Sequence, residues 1–203
     1  MTTLEDLFTS RIAVVVPDVI GPTLAADVRT RLEHTGYTRY ALLDRGSYDV
    51  LHAPLEPALF AALIAVAKQV TGRSLVVGDT RALRLGAGDY ALAHHDRVHD
   101  DHPVELMLDL SATTVPGAEV HYRQLGGRVF FTMASRPGSL SIVERGPAVV
   151  CNHTYLSKLH VGATAVRLVM LLREPPQASG LDRSGALTLT CEREHQRHRG
   201  RCP

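Results

Sequence analysis

The chain of 203 residues has no tryptophan, only 5% aromatic residues and 3 cysteines. Because aromatic side chains are scarce, the core is expected to consist mainly of aliphatic residues, and a hydrophobic content of 45% is enough for one folded domain. Three cysteines are too few for the dense disulfide framework of small secreted proteins. The apolar runs, such as 12–16 and 166–172, are too short to cross a bilayer, so no membrane partner is expected.

An excess of charge of one sign is also missing, because 22 basic and 21 acidic side chains leave a formal net charge of +1. The chain therefore lacks the positive field that gathers nucleic acid, and no nucleic-acid partner is expected. Its first residues are acidic and lack the basic and apolar regions of a signal peptide, so we expect a cytoplasmic protein. What the chain does have is 11 histidines, and imidazole is the commonest metal ligand.

The first third of the chain alternates between β-branched runs and helical patterns. The run 12–16 predicts a strand. Helices are predicted over about 23–34 and 57–69, because apolar residues recur there at every third or fourth position. A short strand is expected between them at 38–44. This part of the chain therefore predicts the order strand, helix, strand, helix.

From residue 74 onward, short strand-like segments alternate with glycine and proline turns. The predicted strands are 74–77, 82–85, 90–94, 104–110, 119–123, 128–133, 139–143, 149–159 and 165–172. Short strands at this spacing indicate a β-sandwich or barrel. Helices followed by strands indicate an α+β layout, in which the helices buttress a jelly roll. We expect a single domain over 1–175 and a polar, basic extension over 176–203.

A candidate metal site follows the glycine-rich turn before residue 90. In a strand, residues i and i+2 face the same side, so His94 and Asp96 can offer an imidazole and a carboxylate to one metal ion. Such a pair alone is more typical of an exposed polar loop, but a second histidine, His153, lies in a later strand-like segment. Two histidines and one carboxylate form the facial triad of non-haem Fe(II) oxygenases. Farther on, the guanidinium of Arg167 has the planar fork that binds a carboxylate through two hydrogen bonds.

Other residues compete for these roles. His99 and Asp101 form a second histidine–aspartate pair, but their charged surroundings favour a solvated loop. His160 is an alternative to His153, and the basic residue that would accompany it is Arg173. We favour His153, because it follows a proline-glycine turn and leaves room for a hairpin before the next basic residue.

The end of the chain carries a further set of possible metal ligands. Cys191, His195, His198 and Cys202 could form a structural zinc site. Their spacing matches no common zinc finger, and the neighbouring arginines would repel a cation, so a basic tail is favoured. The third cysteine, Cys151, lies in the strand-like segment of the second histidine ligand and is interpreted as a small buried hydrophobic residue.

Several short motifs follow one another in a characteristic order. They are Leu85-Gly86-Ala87-Gly88-Asp89-Tyr90, His94-x-Asp96, the turn Pro116-Gly117-Ala118-Glu119-Val120, the turn Arg136-Pro137-Gly138 and the strand of His153. In their order and spacing, these motifs resemble the prolyl-4-hydroxylase branch of the Fe(II)/2-oxoglutarate-dependent dioxygenases. The resemblance extends over about residues 12–173.

The resemblance implies a double-stranded β-helix in which Fe(II) is bound by His94, Asp96 and His153. It implies that 2-oxoglutarate chelates the metal and that Arg167 holds its far carboxylate. The implied reaction is hydroxylation of an unactivated C–H bond, and the small size of the chain favours an amino acid or another small metabolite as substrate. Arg84, just before the glycine turn, either reaches the mouth of the site and contacts substrate or lies at the surface.

Two positions depart from the family's pattern. Leu85 stands where a tyrosine is frequent, and Val169 stands where a serine or threonine often follows the anchor arginine. A hydroxyl group for 2-oxoglutarate is then expected from Tyr90, Tyr122 or Thr132. The rival hypothesis is a non-enzymatic, cupin-like jelly roll that binds a metal or small ligand, because a fold alone does not define a function. The sequence leaves the oligomeric state open.

Overall fold

A computed structural model of the chain describes residues 3–43, 46–93, 101–146 and 148–176. Within these residues, the helices are α1 (Leu4–Arg11), α2 (Pro22–Thr35) and α3 (Pro57–Thr71). The strands are β1 (Ala13–Val16), β2 (Thr38–Leu42), β3 (Gly46–His52), β4 (Val76–Leu85), β5 (Tyr90–Ala91), β6 (Val104–Asp109), β7 (Val120–Gln124), β8 (Val129–Met133), β9 (Leu140–Glu144), β10 (Val149–His153) and β11 (Ala165–Arg173). In this part of the chain, no helix is long and apolar enough to cross a membrane.

The two longer helices begin and end at residues suited to those positions. Pro22 and Pro57 lie in the first turns, where the missing N–H of proline costs no hydrogen bond. Helix α3 ends at Gly72, whose φ of 68° lies in the left-handed region and whose N–H donates to the Lys68 carbonyl. Both helices lie close to their predicted ranges.

The strands form one antiparallel sheet in the order β1-β9-β6-β11-β4-β3-β5-β10-β7-β8, with β2 paired to β3. Strand β11 lies near the middle, where it pairs with β4 on one side and β6 on the other. At the other end, β10 pairs with β5 and β7. This nearly closed sheet confirms the predicted jelly roll of the α+β class.

The sheet separates two hydrophobic cores, and strand alternation assigns each side chain to one of them. Even-numbered residues of β11, such as Leu168 and Met170, face the helices and pack in a cluster with Val28 and Leu63. Val169, between them in the chain, faces the other way. It belongs to the cluster inside the roll. The remaining members of that inner cluster include Leu83, Leu85, Met107, Tyr122, Val149 and Cys151.

Several elements differ from those predicted. Helix α1 and strand β3 were not predicted; α1 has only eight residues, and β3 begins with glycine and serine, which have low strand propensity. Strand β3 forms because it pairs with β2, β4 and β5. The predicted strands 74–77 and 82–85 are one strand, and the predicted strand 149–159 ends at His153. The domain boundary at 175 stays a prediction, because 177–203 lie outside the described residues.

Candidate metal and co-substrate site

His153 is the last residue of β10 and is buried inside the roll, with 4% of its surface exposed. In the ladder it lies opposite Val120 of β7 and Ala91 of β5. The His94-x-Asp96 motif follows Ala91 closely in sequence but lies outside the described residues. Among the residues that are described, no three His, Cys, Asp or Glu side chains come together as a metal site. The predicted triad therefore stays a prediction.

Arg167 lies on the inner face of β11, and only 1% of its surface is exposed. Its Nη1 donates to His153 Nδ1 at 2.8 Å, and its Nη2 donates to the carbonyl of Ala118 at 2.5 Å. Its Nε, which is also buried, has no hydrogen-bond partner within the described part of the chain. The guanidinium thus points into the roll, contacts the predicted metal ligand and retains one unsatisfied donor.

A buried carboxylate lies near this cation. Asp109 of β6 is opposite Arg167 in the ladder and is fully buried. Its oxygens accept hydrogen bonds from the Ser111 N–H, the Ser135 hydroxyl and the Arg136 N–H. Burial lowers the pKa of Arg167, and the charge of Asp109 opposes that change. Because an arginine in a protein keeps its proton, the site presents a desolvated positive charge to the interior.

The contact between Arg167 and His153 also constrains the imidazole. A guanidinium can only donate, so Nδ1 of His153 must accept, and a neutral ring in this state carries its proton on Nε2. A metal bound at Nε2 needs the opposite tautomer, with the proton on Nδ1. Metal binding through Nε2 would therefore require the Arg167 Nη1–H to donate to an acceptor other than His153 Nδ1.

A cavity of about 210 Å³ opens beside His153. It is lined by Tyr40, Tyr48, Val50, His52, Arg81, Leu83, Ala91, Leu92, Cys151 and His153. The deep residues, such as Leu83 and Cys151, are buried, whereas His52 and Leu92 are exposed at the mouth. Cys151 is buried in the inner hydrophobic cluster, as its interpretation as a small hydrophobic residue predicts.

The three predicted hydroxyl donors do not converge on Arg167. Tyr122 lies inside the roll, but its hydroxyl donates to Glu105 Oε1 at 2.5 Å; burial raises the pKa of Tyr122 well above its ordinary value, so it stays protonated. Tyr90 precedes Ala91, whose side chain lines the cavity, and so faces the other side of its strand. Thr132 is exposed on β8. These positions do not support a co-substrate role for Tyr90 or Thr132.

Arg84 lies on the outer face of β4, away from the cavity. Its Nε donates to Asp49 at 2.9 Å, its Nη1 donates to Glu33 at 2.5 Å, and its guanidinium covers the Tyr37 ring at 4.6 Å. This placement does not support the predicted contact with substrate. The arginine of β4 that reaches the cavity is Arg81, which the sequence reasoning missed. Its odd number, shared with Leu83 and Leu85 of the inner core, is the signal that could have found it.

The alternative ligands that the structure describes are not buried inside the roll. Asp101 is exposed, and its Oδ1 lies 2.9 Å from Nδ1 of its neighbour His102, while His99 is outside the described residues. His160 lies in the turn after β10, and Arg173 is exposed at the end of β11. The two predicted histidine–arginine pairs are His153 with Arg167 and His160 with Arg173. Of these, only the first is buried inside the roll. The set of cysteines and histidines at the chain end lies outside the described residues.

The sequence reasoning also missed a charged network deeper in the roll. Arg145 and Glu105 are both buried, with Nη1 and Oε2 3.1 Å apart. The Tyr122 hydroxyl binds the other oxygen of Glu105, and the Arg145 guanidinium lies 5.8 Å from the Tyr122 ring centre. This network fills the interior beside Met107 and Val143 without reaching the cavity lining.

No protein-family model matches the chain, and no curated protein matches it. Solved structures do match its fold. The fold is that of the 2-oxoglutarate–Fe(II) oxygenases, as in a Burkholderia pseudomallei oxidoreductase of that family (TM-score 0.66, 11% identity, 84% of this chain and 89% of that chain covered).

Prolyl hydroxylases are among the matches. A prolyl-4-hydroxylase from Pseudomonas putida aligns with TM-score 0.63 and 14% identity over 85% of this chain and 97% of its own. A viral collagen prolyl hydroxylase from Paramecium bursaria Chlorella virus-1, solved with 2-oxoglutarate, aligns with TM-score 0.61 and 10% identity over 82% and 98%. At these identities the likeness shows a shared fold. The predicted resemblance to the prolyl-4-hydroxylase branch is confirmed at that level.

Proposed function

We propose that the chain is an Fe(II)- and 2-oxoglutarate-dependent oxygenase that hydroxylates an unactivated C–H bond of a small molecule. The observation that carries this proposal is the buried guanidinium of Arg167, which contacts His153 and keeps an unsatisfied Nε–H. Burying a charge without enough partners is costly, so this position favours an anionic ligand inside the roll. The fold shared with 2-oxoglutarate–Fe(II) oxygenases identifies which anion to test first.

In this proposal, His94, Asp96 and His153 hold Fe(II), and Arg167 holds the far carboxylate of 2-oxoglutarate. The bound metal supplies the activation of oxygen that C–H hydroxylation requires. His153 offers an imidazole from a rigid strand end, and the charge of Asp109 helps keep Arg167 protonated in a dry interior. The hydrogen bonds of Asp109 to Ser111, Ser135 and Arg136 fix this carboxylate in place.

The cavity supports a small substrate. Its volume of about 210 Å³ is below the roughly 300–1,000 Å³ typical of pockets for drug-sized ligands. Its deep wall is apolar, so a substrate carbon can lie beside His153 with little water present. An amino acid or a metabolite of similar size is therefore the favoured substrate class.

The test is conversion of 2-oxoglutarate to succinate by the Fe(II)-loaded chain, together with metal binding measured by calorimetry. His153→Ala should abolish both. Arg167→Ala should raise the KM for 2-oxoglutarate by about 30-fold or more, because one partner of a buried charge pair is lost, and should leave metal binding nearly intact. Arg173→Ala is the matched control, because this arginine is exposed at the end of the same strand.

Two results would contradict the proposal. If Arg167→Ala consumes 2-oxoglutarate as the unaltered chain does, Arg167 is not the anchor. If the chain binds Fe(II) but converts no 2-oxoglutarate, the cupin-like binding protein becomes the better hypothesis. Melting temperatures of all variants separate these outcomes from loss of the fold.

A further inference from the structure

Strands β2 and β3 contribute an aromatic wall to the cavity beside His153. Tyr40 of β2 lies opposite Tyr48 of β3 in the ladder, and both side chains line the cavity. Their rings stack with centroids 4.9 Å apart and an angle of 30° between the ring planes. Because cross-strand neighbours of this kind hold each other in place, the pairing of the two strands sets the position of both rings.

Apolar residues continue this wall into the roll. Val50, two residues after Tyr48, faces the same side of β3, and Leu83 lies opposite Val50 in the ladder with β4. Both side chains line the cavity and are buried, with 8% and 5% of their surface exposed. The polar pair His52 and Arg81 follows next along the two strands, on the side away from Tyr48. A polar group placed against the apolar part would give up hydrogen bonds to water without replacing them, so this part favours a hydrocarbon group.

The aromatic wall is close to the predicted metal ligand. Gly46, two residues before Tyr48, lies opposite Ala91 of β5, and Ala91 lies opposite His153 of β10. Neighbouring strands are about 4.8 Å apart, so His153 is about 10 Å from Gly46 across the sheet. A ring with a short substituent spans a distance of this order. A molecule that contacts Tyr48 can therefore also reach the space beside His153.

The cavity is large enough for one ring. Its volume of about 210 Å³ exceeds the roughly 150 Å³ of an engineered apolar cavity that binds benzene. A flat ring has no rotatable bonds of its own, so it loses little conformational freedom when it binds. Aromatic side chains also attract such a ring through offset or edge-to-face contacts, with centroids about 4.5–7 Å apart. Size, rigidity and wall chemistry thus favour the same kind of ligand.

We propose that the substrate carries an apolar ring, which contacts Tyr40 and Tyr48 while the carbon to be hydroxylated lies beside His153. This inference rests on the proposed function, because it names the substrate class of the same site. Tyr40 and Tyr48 then determine specificity through their ring surfaces, and their hydroxyl groups are not required. Ring-bearing metabolites are selected over open-chain polar ones of similar size, since only an apolar group is stabilised by burial against this wall.

Binding of matched pairs of ligands tests the inference without turnover. The chain is saturated with 2-oxoglutarate and with Zn(II) in place of Fe(II), and calorimetry compares phenylalanine with alanine and benzamide with acetamide. The members of each pair share their polar groups and differ in the ring. In at least one pair, the member with the ring should bind about tenfold or more tightly, because burying the ring removes apolar surface from water.

Variants of the two tyrosines assign the preference to their ring surfaces. Tyr48→Ala should weaken binding of the ring-bearing ligand by about tenfold. Tyr48→Phe, which keeps the ring and loses the hydroxyl, should bind it within about twofold of the unaltered chain. Where the melting temperature shows that Tyr48→Ala does not fold, Tyr40→Ala provides the same test. Tyr155→Ala is the matched control and should bind normally, because this tyrosine is exposed and is not among the described residues that line the cavity.

The inference is overturned if neither pair shows a preference for the ring, if the folded alanine variants keep that preference, or if Tyr48→Phe loses it. Its failure is distinct from failure of the proposed function, which is measured by 2-oxoglutarate turnover without substrate. A chain that converts 2-oxoglutarate but binds both members of each pair equally refutes only the role of the aromatic wall. A chain that prefers ring-bearing ligands and converts no 2-oxoglutarate refutes only the oxygenase proposal.

Discussion

Replacement of Arg145 by methionine should destabilise the fold strongly. The Arg145 side chain is 1% exposed, and its Nη1 lies 3.1 Å from Oε2 of Glu105, whose side chain is 0% exposed. Methionine fills a similar volume but carries no charge. The variant therefore leaves the Glu105 carboxylate in the interior of the roll, with the Tyr122 hydroxyl as its remaining partner among the contacts given above.

The size of the effect follows from the burial of both charges. Removing one partner of a buried ion pair typically costs about 3–5 kcal/mol of unfolding free energy. For a domain of this length, each kcal/mol lowers the melting temperature by roughly 2–4 °C, so a fall of roughly 6–20 °C is expected. Tyr122→Phe, which removes one neutral donor from Glu105, should cost about 1–3 kcal/mol.

A double replacement distinguishes a charge effect from a packing effect. With Glu105→Leu and Arg145→Met together, neither charge of this pair remains, and much of the lost stability should return. Because the chain has no tryptophan, unfolding is best followed by far-ultraviolet circular dichroism in urea. Arg123→Met, at an exposed position of β7, is the control. The reasoning is refuted if Arg145→Met falls within about 1 kcal/mol of that control, or if the double variant is the least stable.

Two further predictions concern acid stability and a turn. Burial acts to raise the pKa of Asp89, but hydrogen bonds, two of them from Arg39 at 2.9 and 2.5 Å, outweigh it and lower the pKa below its ordinary 3.8. The carboxylate therefore stabilises the fold above pH 3.8, and this contribution is lost as the pH falls below that value. Asp89→Asn should make the free energy of unfolding less dependent on pH in acid denaturation curves. At pH 7 it should lower that free energy by about 1–3 kcal/mol. Gly138→Ala should cost about 1–3 kcal/mol, because φ is +79° and a Cβ would lie 2.6 Å from the Ile20 carbonyl oxygen. The control Gly126→Ala, at φ +74° with nothing within 4 Å, should cost less in the same urea titration, and equal costs would contradict the role of the close contact.

Local patterns were sufficient for the two longer helices, each of which has one side facing a core. Helices α2 and α3 were predicted because their apolar residues repeat at helical spacing and their ends carry proline and glycine. Strand β3 was not, because Gly46 and Ser47 have low strand propensity and the strand depends on partners far away in the chain. Non-local pairing of this kind leaves no pattern within the segment itself.

For individual side chains as well, some positions could be predicted from the sequence and others could not. His153 and Arg167 were selected from the sequence because they follow the histidine–aspartate motif in the order and at the spacing that the family resemblance implies. Arg84 was selected from its position before the glycine turn and Thr132 as a possible hydroxyl donor, but alternation places both side chains outside the roll. Because side chains alternate along a strand, an error of one residue in the assumed alternation places in solvent a side chain that was expected in the interior.

The sequence by itself determined the jelly roll and the two buttressing helices, because both depend on hydrophobic periodicity and turn residues that are local. It also suggested His153 and Arg167, through the order and spacing of motifs that resemble a known family. Only the tertiary structure decided that Arg167 contacts His153, that Glu105 and Arg145 meet inside the roll, and that Arg81 and not Arg84 reaches the cavity. These facts depend on which strands are neighbours and on their register. Long-range antiparallel pairing sets both, and no short segment of the chain encodes it.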